Sequence, residues 1–414
     1  MAQKLMSNYD IVEPEEKADI YIINTCSVTN MSDRKSRQMI RRAKEMNSEA
    51  FVIVVGCYAE VAKDEIEKID EVDLVLGNHQ KANIDKYIEA YFDGRDVNDE
   101  AIESYFYDFG SITYTEKTRA VVKVQDGCNN FCTYCIIPYA RGRICSRCPE
   151  SVVDEITKIA EEEIKEVVIT GIQVSAYGKD FDSDYRLIDL LEEINKIDGI
   201  ERIRIGSIEP LMITDEFCER VKKLEKMCHH FHLSLQSGCD KTLKEMNRRY
   251  TTAQFGEVVR KLRNIYEDVI LTTDIIVGFP NETDEDFEQT YDFLKSIKFY
   301  KMHVFKYSQR KGTVAAKMKN QVSPEKKEER SKRLLKLSSD NEKDYLDEYV
   351  GKDVRVLFEE QDGEFVKGHT DNYIVVEAKG SEENLNKILT VHVEQSGEEK
   401  LVGILVWNRN VKKV

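Results

Sequence analysis

Between residues 119 and 306, short β-branched runs alternate six times with amphipathic stretches, and this rhythm restricts the chain to a parallel α/β fold. Strands are expected near 120–125, 166–170, 201–205, 231–235, 269–273 and 301–304. PESVVDEITKIAEEE (149–163), with Pro149 near its first turn, and DEDFEQTYDFLKSI (284–297) are two of the helices between them. Six βα units fall short of the eight that close a full barrel, so a partial, open (β/α)6 barrel is expected. In parallel α/β folds the ligands sit at the carboxyl ends of the strands.

The segments on either side differ in character. In residues 1–95, IYIIN (20–24), FVIVV (51–55) and a run near 73–76 read as buried parallel strands. A basic helix at about 31–46, with Ser32 and Asp33 able to cap it, and a helix near 80–92 complete an N-terminal open parallel sheet. Residues 96–118 lack a sustained period and read as a linker. A charged helix, about 324–349, closes the barrel segment, 119–349. In 350–414 the runs VRVLFEE, YIVVEA, ILTVHV and LVGILV, broken by turn residues, predict a small all-β barrel. No run of about 18 apolar residues exists and the first residues carry too much charge for a signal peptide, so the expected location is cytoplasmic, away from membranes.

Ten cysteines in a chain of this expected location point to metal or redox chemistry. Gly127-Cys128-Asn129-Asn130-Phe131-Cys132-Thr133-Tyr134-Cys135 follows the first strand of the six-unit segment. Its C-x3-C-x2-C spacing supplies three thiolates for a [4Fe–4S] cluster and leaves one iron open. That iron can chelate the amino and carboxylate groups of S-adenosylmethionine (SAM), whose one-electron cleavage frees a 5′-deoxyadenosyl radical. Gly127 lets the loop turn close to the cluster. The competing reading is zinc, since Cys132-x2-Cys135 and Cys145-x2-Cys148 could form a ribbon, but this strands Cys128 and ignores the barrel pattern. Cys145 and Cys148 are otherwise unexplained.

Cys26 and Cys57 each end a predicted parallel strand, which suggests a second metal or cluster site; buried small residues are the alternative. Cys228-His229-His230-Phe231-His232 resembles a metal cluster at first sight. It is read here as a strand entry, with His232 pointing into the barrel. Cys218 and Cys239 read as ordinary small residues. The formal charge of −16 argues against nucleic acid as a bulk electrostatic partner, yet local basic runs exist: Arg34 to Lys44, Arg141, Arg143 and Arg147, and Arg248 and Arg249.

INTCSVTN, VVGCYAE, QDGCNNFCTYCIIPYARGR, TGIQVSAYG, HLSLQSGCDKTLKEMNRRYTT, TDIIVGFPNET and FKYSQRKGTVAAKM together resemble the tRNA methylthiotransferases of the radical SAM superfamily, in order and along nearly the whole chain. MSDRKSRQMIRRAK, CNNFCTYCIIPYARGR and MNRRYTT resemble most the branch acting on N6-threonylcarbamoyladenosine. The isopentenyladenosine and ribosomal-protein branches are the next alternatives, and a non-catalytic zinc-ribbon RNA-binding protein is a remote one. The resemblance implies an N-terminal cluster domain, a radical SAM domain and a C-terminal TRAM-like barrel that grips tRNA. It implies SAM, two [4Fe–4S] clusters, the anticodon region of tRNA as partner, and an electron donor such as a flavodoxin or ferredoxin. Cys128, Cys132 and Cys135 match the ligands of the SAM cluster; Cys26 and Cys57 match two of the three ligands of the auxiliary cluster. The third lies in a strand that family members carry upstream of the equivalent of Met1, so the auxiliary site is expected to lack that ligand in the chain as written. Tyr134 is an aromatic typical of the SAM-cluster motif. Gly171, Ser207, Glu209, Gln236 and Asp274, at or just past predicted strand ends, are the candidates for the SAM pocket. The implied reaction replaces C2–H of the modified adenosine by C2–S–CH3.

Overall fold

A computed structural model describes residues 1–26, 30–95 and 118–406. The linker expected at 96–118 lies, but for Thr118, outside the described residues. The chain forms two compact units, and each draws on separated stretches of sequence.

The first unit comprises residues 1–95, 126–147 and 308–317 of the described chain. Strands β1 (Ile20–Thr25), β2 (Phe51–Gly56) and β3 (Leu74–Leu76) are parallel and adjacent in that order. β2 is buried along its whole length, as an uninterrupted apolar central strand should be. Its side chains alternate between two cores. Val52 and Val54 pack with Ile40 and Ala43 of the helix Asn30–Met46, while Phe51, Ile53 and Val55 pack with Ile84, Tyr87 and Ile88 of the helix Ile84–Phe92. The helix expected at 80–92 begins as a 3-10 stretch, Asn78–Asn83. The basic helix starts at Asn30, so Asp33 sits in its first turn. The Asp33 carboxylate takes both oxygens to Nη2 of Arg310, at 2.9 and 3.1 Å, which ties segment 308–317 to this helix.

Strand β4 (Arg119–Asp126) leads into the cysteine loop, and Cys145–Ser146 form a two-residue strand, β5. In the second unit, β4 pairs with β6 (Glu166–Gly171), and β6 with β7 (Arg202–Ile205), all parallel. β8 (His230–Gln236), β9 (Ile270–Val277) and β10 (Lys301–Lys306) form a second parallel set. Bridges between Ile203 and Met227 and between Ile208 and Leu233 join the two sets, giving the partial six-stranded barrel. Its core is formed by residues such as Val122, Ile169, Ile203, Leu233 and Ile275 with helix residues Ile156, Leu191, Phe255 and Phe287.

The helix Pro324–Asp347 packs along β10, where Ser338 Oγ accepts from Met302 N at 2.9 Å, and it inserts Leu346 into the next core. That core belongs to a closed barrel of β11 (Asp353–Asp362), β12 (Phe365–Thr370), β13 (Val375–Lys379), β14 (Ile388–Ser396) and β15 (Leu401–Leu405), in the order β11-β12-β13-β15-β14. The closed barrel covers the amino ends of the parallel strands. Arg202 donates to the carbonyls of His369 and Arg355, both at 2.9 Å, and Asn372 Nδ2 donates to the carbonyl of Asp268 at 2.9 Å. Carboxylates and guanidiniums fill this junction: Glu166 is wholly buried among Arg119, Arg202 and Arg204.

Candidate cluster site

The cysteine loop lies in the first unit and is built by two unusual backbone positions. Gly127 has φ +68°, and a Cβ there would stand 1.8 Å from the carbonyl oxygen of Arg143. Phe131 has φ +47°, a left-handed conformation that few non-glycine residues adopt. The return strand of the loop closes on its start, with Cys128 N donating to Gly142 O at 3.1 Å. Cys135 N donates to Cys132 O at 2.9 Å, and Asn130 N approaches Cys128 Sγ at 3.5 Å. Cys128, Cys132 and Cys135 are each half-buried. Three thiols on one eight-residue loop, with a backbone N–H directed at a sulfur, form a donor set suited to an iron–sulfur cluster. Tyr134 sits in the turn between the last two of them.

The register of the N-terminal sheet pairs Thr25 with Gly56, the last residues of β1 and β2, so Cys26 and Cys57 directly follow the ends of neighbouring strands. The turn at Gly56, φ +106°, leaves no room for a side chain, since a Cβ would lie 2.3 Å from Thr25 O. Cys26 is exposed and Cys57 is buried at the start of the short helix Cys57–Val61. Cys57 Sγ receives Nε of Arg141 at 3.1 Å and faces Nδ2 of the buried Asn78 at 3.7 Å. Asn78 Nδ2 also donates to Ala140 O at 2.7 Å. Asp126, the residue before Gly127, accepts from Arg141 Nη1 at 3.4 Å and from Gly127 N at 2.8 Å. Asp126, Arg141 and Asn78 were not marked by the sequence reading; Arg141 appeared there only as one member of a basic run.

In the second unit, the predicted pocket residues divide. Gly171 and Gln236 are the last residues of β6 and β8, and Ser207 and Glu209 follow β7. Asp274 is different. It was expected just past a strand ending at 273, but β9 continues to Val277 because Ile275 and Val277 are core residues and Ile276 pairs with Phe305. Asp274 therefore lies within the strand, 3.3 Å from Nε2 of His232. Thr272 Oγ1 lies between His230 Nε2, at 3.1 Å, and His232 Nδ1, at 3.0 Å. His230 was expected at the strand entry and His232 inside; both share this polar column. Burial and the nearby Arg204 charge hold the His230 ring well below the usual histidine range. Glu209 is bound by Arg248, Nη2 to Oε1 at 2.9 Å, and the Arg248 side chain is only 5% exposed. Arg248 is thus turned inward rather than presented on the surface as a basic run would suggest. Of the other basic candidates, Arg37 donates to Tyr58 Oη at 2.7 Å and Lys44 pairs with Asp73 at 2.9 Å. The Cys148 thiol is exposed and donates to Glu150 Oε2 at 2.6 Å.

Two family profiles match this chain: the radical SAM superfamily over residues 122–294, and a family described as uncharacterized protein family UPF0004 over residues 1–77. The threonylcarbamoyladenosine tRNA methylthiotransferase MtaB of Bacillus subtilis is 40% identical over 402 residues, covering 94% of this chain and 89% of that protein. The chain belongs to the tRNA methylthiotransferases. A second kind of relative in this family, the tRNA-2-methylthio-N(6)-dimethylallyladenosine synthase of Thermoanaerobacter pseudethanolicus, is 36% identical and covers 96% of this chain and 87% of its own. Among solved structures, the radical SAM methyltransferase TsrM of Kitasatospora setae, with cobalamin and a [4Fe–4S] cluster bound, superposes with a TM-score of 0.57. It covers 73% of this chain and 66% of its own at 17% identity, a likeness of fold alone. As a radical SAM methylthiotransferase, this chain is an enzyme whose cofactors are SAM and a [4Fe–4S] cluster. No helix among the described residues is long and apolar enough to cross a membrane.

Proposed function

We propose that this methylthiotransferase acts on N6-threonylcarbamoyladenosine beside the anticodon of tRNA and converts it to the 2-methylthio derivative. The observation that carries the chemistry is the three-thiol loop on Gly127, with a glycine that no side chain could replace at its root. The branch is supported by relatives named for threonylcarbamoyladenosine in Bacillus subtilis and Aquifex aeolicus, each 40% identical. The dimethylallyladenosine synthases, at 36%, favour a second reading in which the same chemistry acts on the isopentenylated base.

In this reading Cys128, Cys132 and Cys135 hold the SAM cluster, and Cys26 and Cys57 contribute to an auxiliary one. With SAM bound, such a cluster supplies a 5′-deoxyadenosyl radical, the kind of species needed because C2–H of an electron-poor ring resists polar substitution. The protein's part is to orient and to shield. Gly171, Ser207, Glu209 and Gln236 would contact SAM from strand ends, with Arg248 fixing the Glu209 carboxylate. The C-terminal barrel, read as the TRAM-like domain over 350–414, would grip tRNA through placed side chains. An electron donor such as a flavodoxin or ferredoxin, and a cytoplasmic location, belong to the same proposal.

The test is nucleoside mass analysis of tRNA from a strain that lacks this gene. Loss of 2-methylthio-N6-threonylcarbamoyladenosine, restored by the intact gene and not by a Cys132→Ala copy, supports the assignment. Loss of the 2-methylthio-isopentenyl nucleoside instead moves the enzyme to the other branch, and loss of neither removes both.

A further inference from the structure

We propose that the exposed face of the helix Asn30–Met46 is a docking surface for the phosphate backbone of the tRNA substrate. The inference rests on membership of the tRNA methylthiotransferases and not on which modified adenosine is the target. Ile40 and Ala43 turn one side of this helix into the core against β2. With 3.6 residues per turn, Arg34, Lys35, Arg41 and Arg42 fall within about a third of the circumference on the opposite side, and all four are exposed. None of the four meets a carboxylate among the described residues. Arg37 and Lys44, by contrast, point inward to Tyr58 and Asp73.

A surface helix that serves only solubility mixes its charges, because opposite pairs three or four residues apart stabilise it and like pairs destabilise it. Here those spacings bring like charges together: Arg34 with Arg37, Arg37 with Arg41, and Arg41 with Lys44. Glu45, three residues after Arg42, is the carboxylate on the exposed face. A polyanion laid on this face relieves the repulsion and releases its own counterions in exchange. The concentration of cations runs against a chain charge of −16. The C-terminal barrel does not supply the same attraction, since residues 353–405 carry twelve carboxylates against five lysines and arginines. A membrane surface is excluded as the partner because the apolar side of the helix is already covered by the sheet. The face is also tied to the chemistry. Asp33 of this helix binds Arg310, and Ala315 N of the same segment donates to Thr133 O, inside the cysteine loop, at 2.9 Å. A backbone held on the helix is therefore linked through one short segment to Cys132 and Cys135.

The test is binding of the full chain to a fluorescein-labelled anticodon stem-loop RNA, read by anisotropy over a series of KCl concentrations. The variant carries Arg34→Gln, Lys35→Gln, Arg41→Gln and Arg42→Gln together, and its folding is checked by far-ultraviolet circular dichroism. It is expected to bind on the order of 100-fold more weakly at about 0.1 M KCl, to flatten the slope of log K against log[KCl] by roughly 2–3, and to converge on the parent near about 1 M. The loss should be equal for RNA with and without the N6 modification, since phosphate contacts carry no base information. The control removes four exposed lysines of the second unit, Lys196, Lys223, Lys295 and Lys343, each to Gln, and should leave the slope near that of the parent. An unmoved slope in the helix variant, or an equal change in the control, overturns the inference and leaves the tRNA reading intact. A parent that does not bind the RNA overturns both. Should the fourfold variant fail to fold, Arg41→Gln with Arg42→Gln carries the same test: a slope flattened by about half as much supports the inference and an unmoved one overturns it.

Discussion

Arg204 donates its Nε–H to Glu166 Oε1 at 2.8 Å, in a position where neither side chain reaches solvent. Arg119 Nε stands 2.9 Å from the same oxygen, and the Arg204 guanidinium lies over the Tyr373 ring of the C-terminal barrel, 4.4 Å from its centroid. Arg119 also reaches Glu359 of that barrel at 2.5 Å. One buried carboxylate thus compensates the cations that join the two parts of this unit. Glu166→Gln removes the carboxylate that Arg204 and Arg202 face, while Arg119 keeps Glu359, and should cost roughly 3–5 kcal/mol, as loss of one partner of a buried ion pair does. Burial pushes the Glu166 carboxyl up, but Arg204, Arg119 and Arg202 together outweigh it and hold it below the usual range. A depressed carboxyl contributes stability above its unfolded pKa, about 4.3, and loses it as pH falls through the folded value. Thermal unfolding followed from pH 7 to pH 3 should therefore show a steep loss in the parent and a flatter profile in Glu166→Gln.

Gly127→Ala should abolish stable cluster binding without unfolding the chain. The new methyl group would meet Arg143 O at 1.8 Å, so the loop that carries Cys128 must move. Iron per chain after anaerobic reconstitution is the measurement. The variant should lose the iron that Cys128→Ala loses, while its far-ultraviolet circular dichroism matches the parent.

His229 and Asp268 form a pair whose pH window can be stated. Burial pulls His229 down, but the hydrogen bond and charge of Asp268, Nδ1 to Oδ1 at 2.6 Å, raise it above the usual value. Asp268 is lowered, first by the hydrogen bond from His229. The pair's contribution is complete between the ordinary carboxyl and imidazole values, about 4 and about 6.5. It is lost as pH rises through the raised His229 value and as pH falls through the lowered Asp268 value. A proton titration of the His229 ring by NMR should give a value above the usual one, returning downward in Asp268→Asn.

Asn372 satisfies three partners at once. It donates to Asp268 O at 2.9 Å, meets the Tyr349 hydroxyl at 2.6 Å and accepts from Thr370 Oγ1 at 2.6 Å. Asn372→Ala should cost about 1–3 kcal/mol, the penalty for buried polar groups left unmatched. Limited proteolysis should then release the C-terminal barrel sooner, while reconstituted iron stays at the parent level because the change lies far along the chain from every cysteine assigned to a cluster.

The parts of the fold that were readable in the sequence are those set by local pattern. β-branched runs such as FVIVV and the Asn30–Met46 helix were found within a residue or two, because period and length alone determine them. The strand expected at 269–273 was set too short, because Ile275, Ile276 and Val277 continue it past Asp274. The 3-10 stretch Asn78–Asn83 carries a helical composition that period could not separate from an α-helix. The cysteine motif was legible as one short loop because its spacing is local, and the structure keeps Cys128, Cys132 and Cys135 half-buried on that loop. The Arg141 contact with Cys57, and the pairing of Glu166 with three arginines, join residues far apart in sequence and leave no local signal. The grouping of 126–147 and 308–317 with the N-terminal sheet was hidden for the same reason, since contiguous domains were assumed.

The most direct measurement is iron, sulfide and zinc per chain after anaerobic reconstitution, together with 5′-deoxyadenosine released from SAM under reducing conditions. The account predicts iron and sulfide without zinc, SAM cleavage in the parent, and none in the Cys128→Ala, Cys132→Ala and Cys135→Ala variants. Zinc without iron, or SAM cleavage that survives loss of all three cysteines, would contradict it.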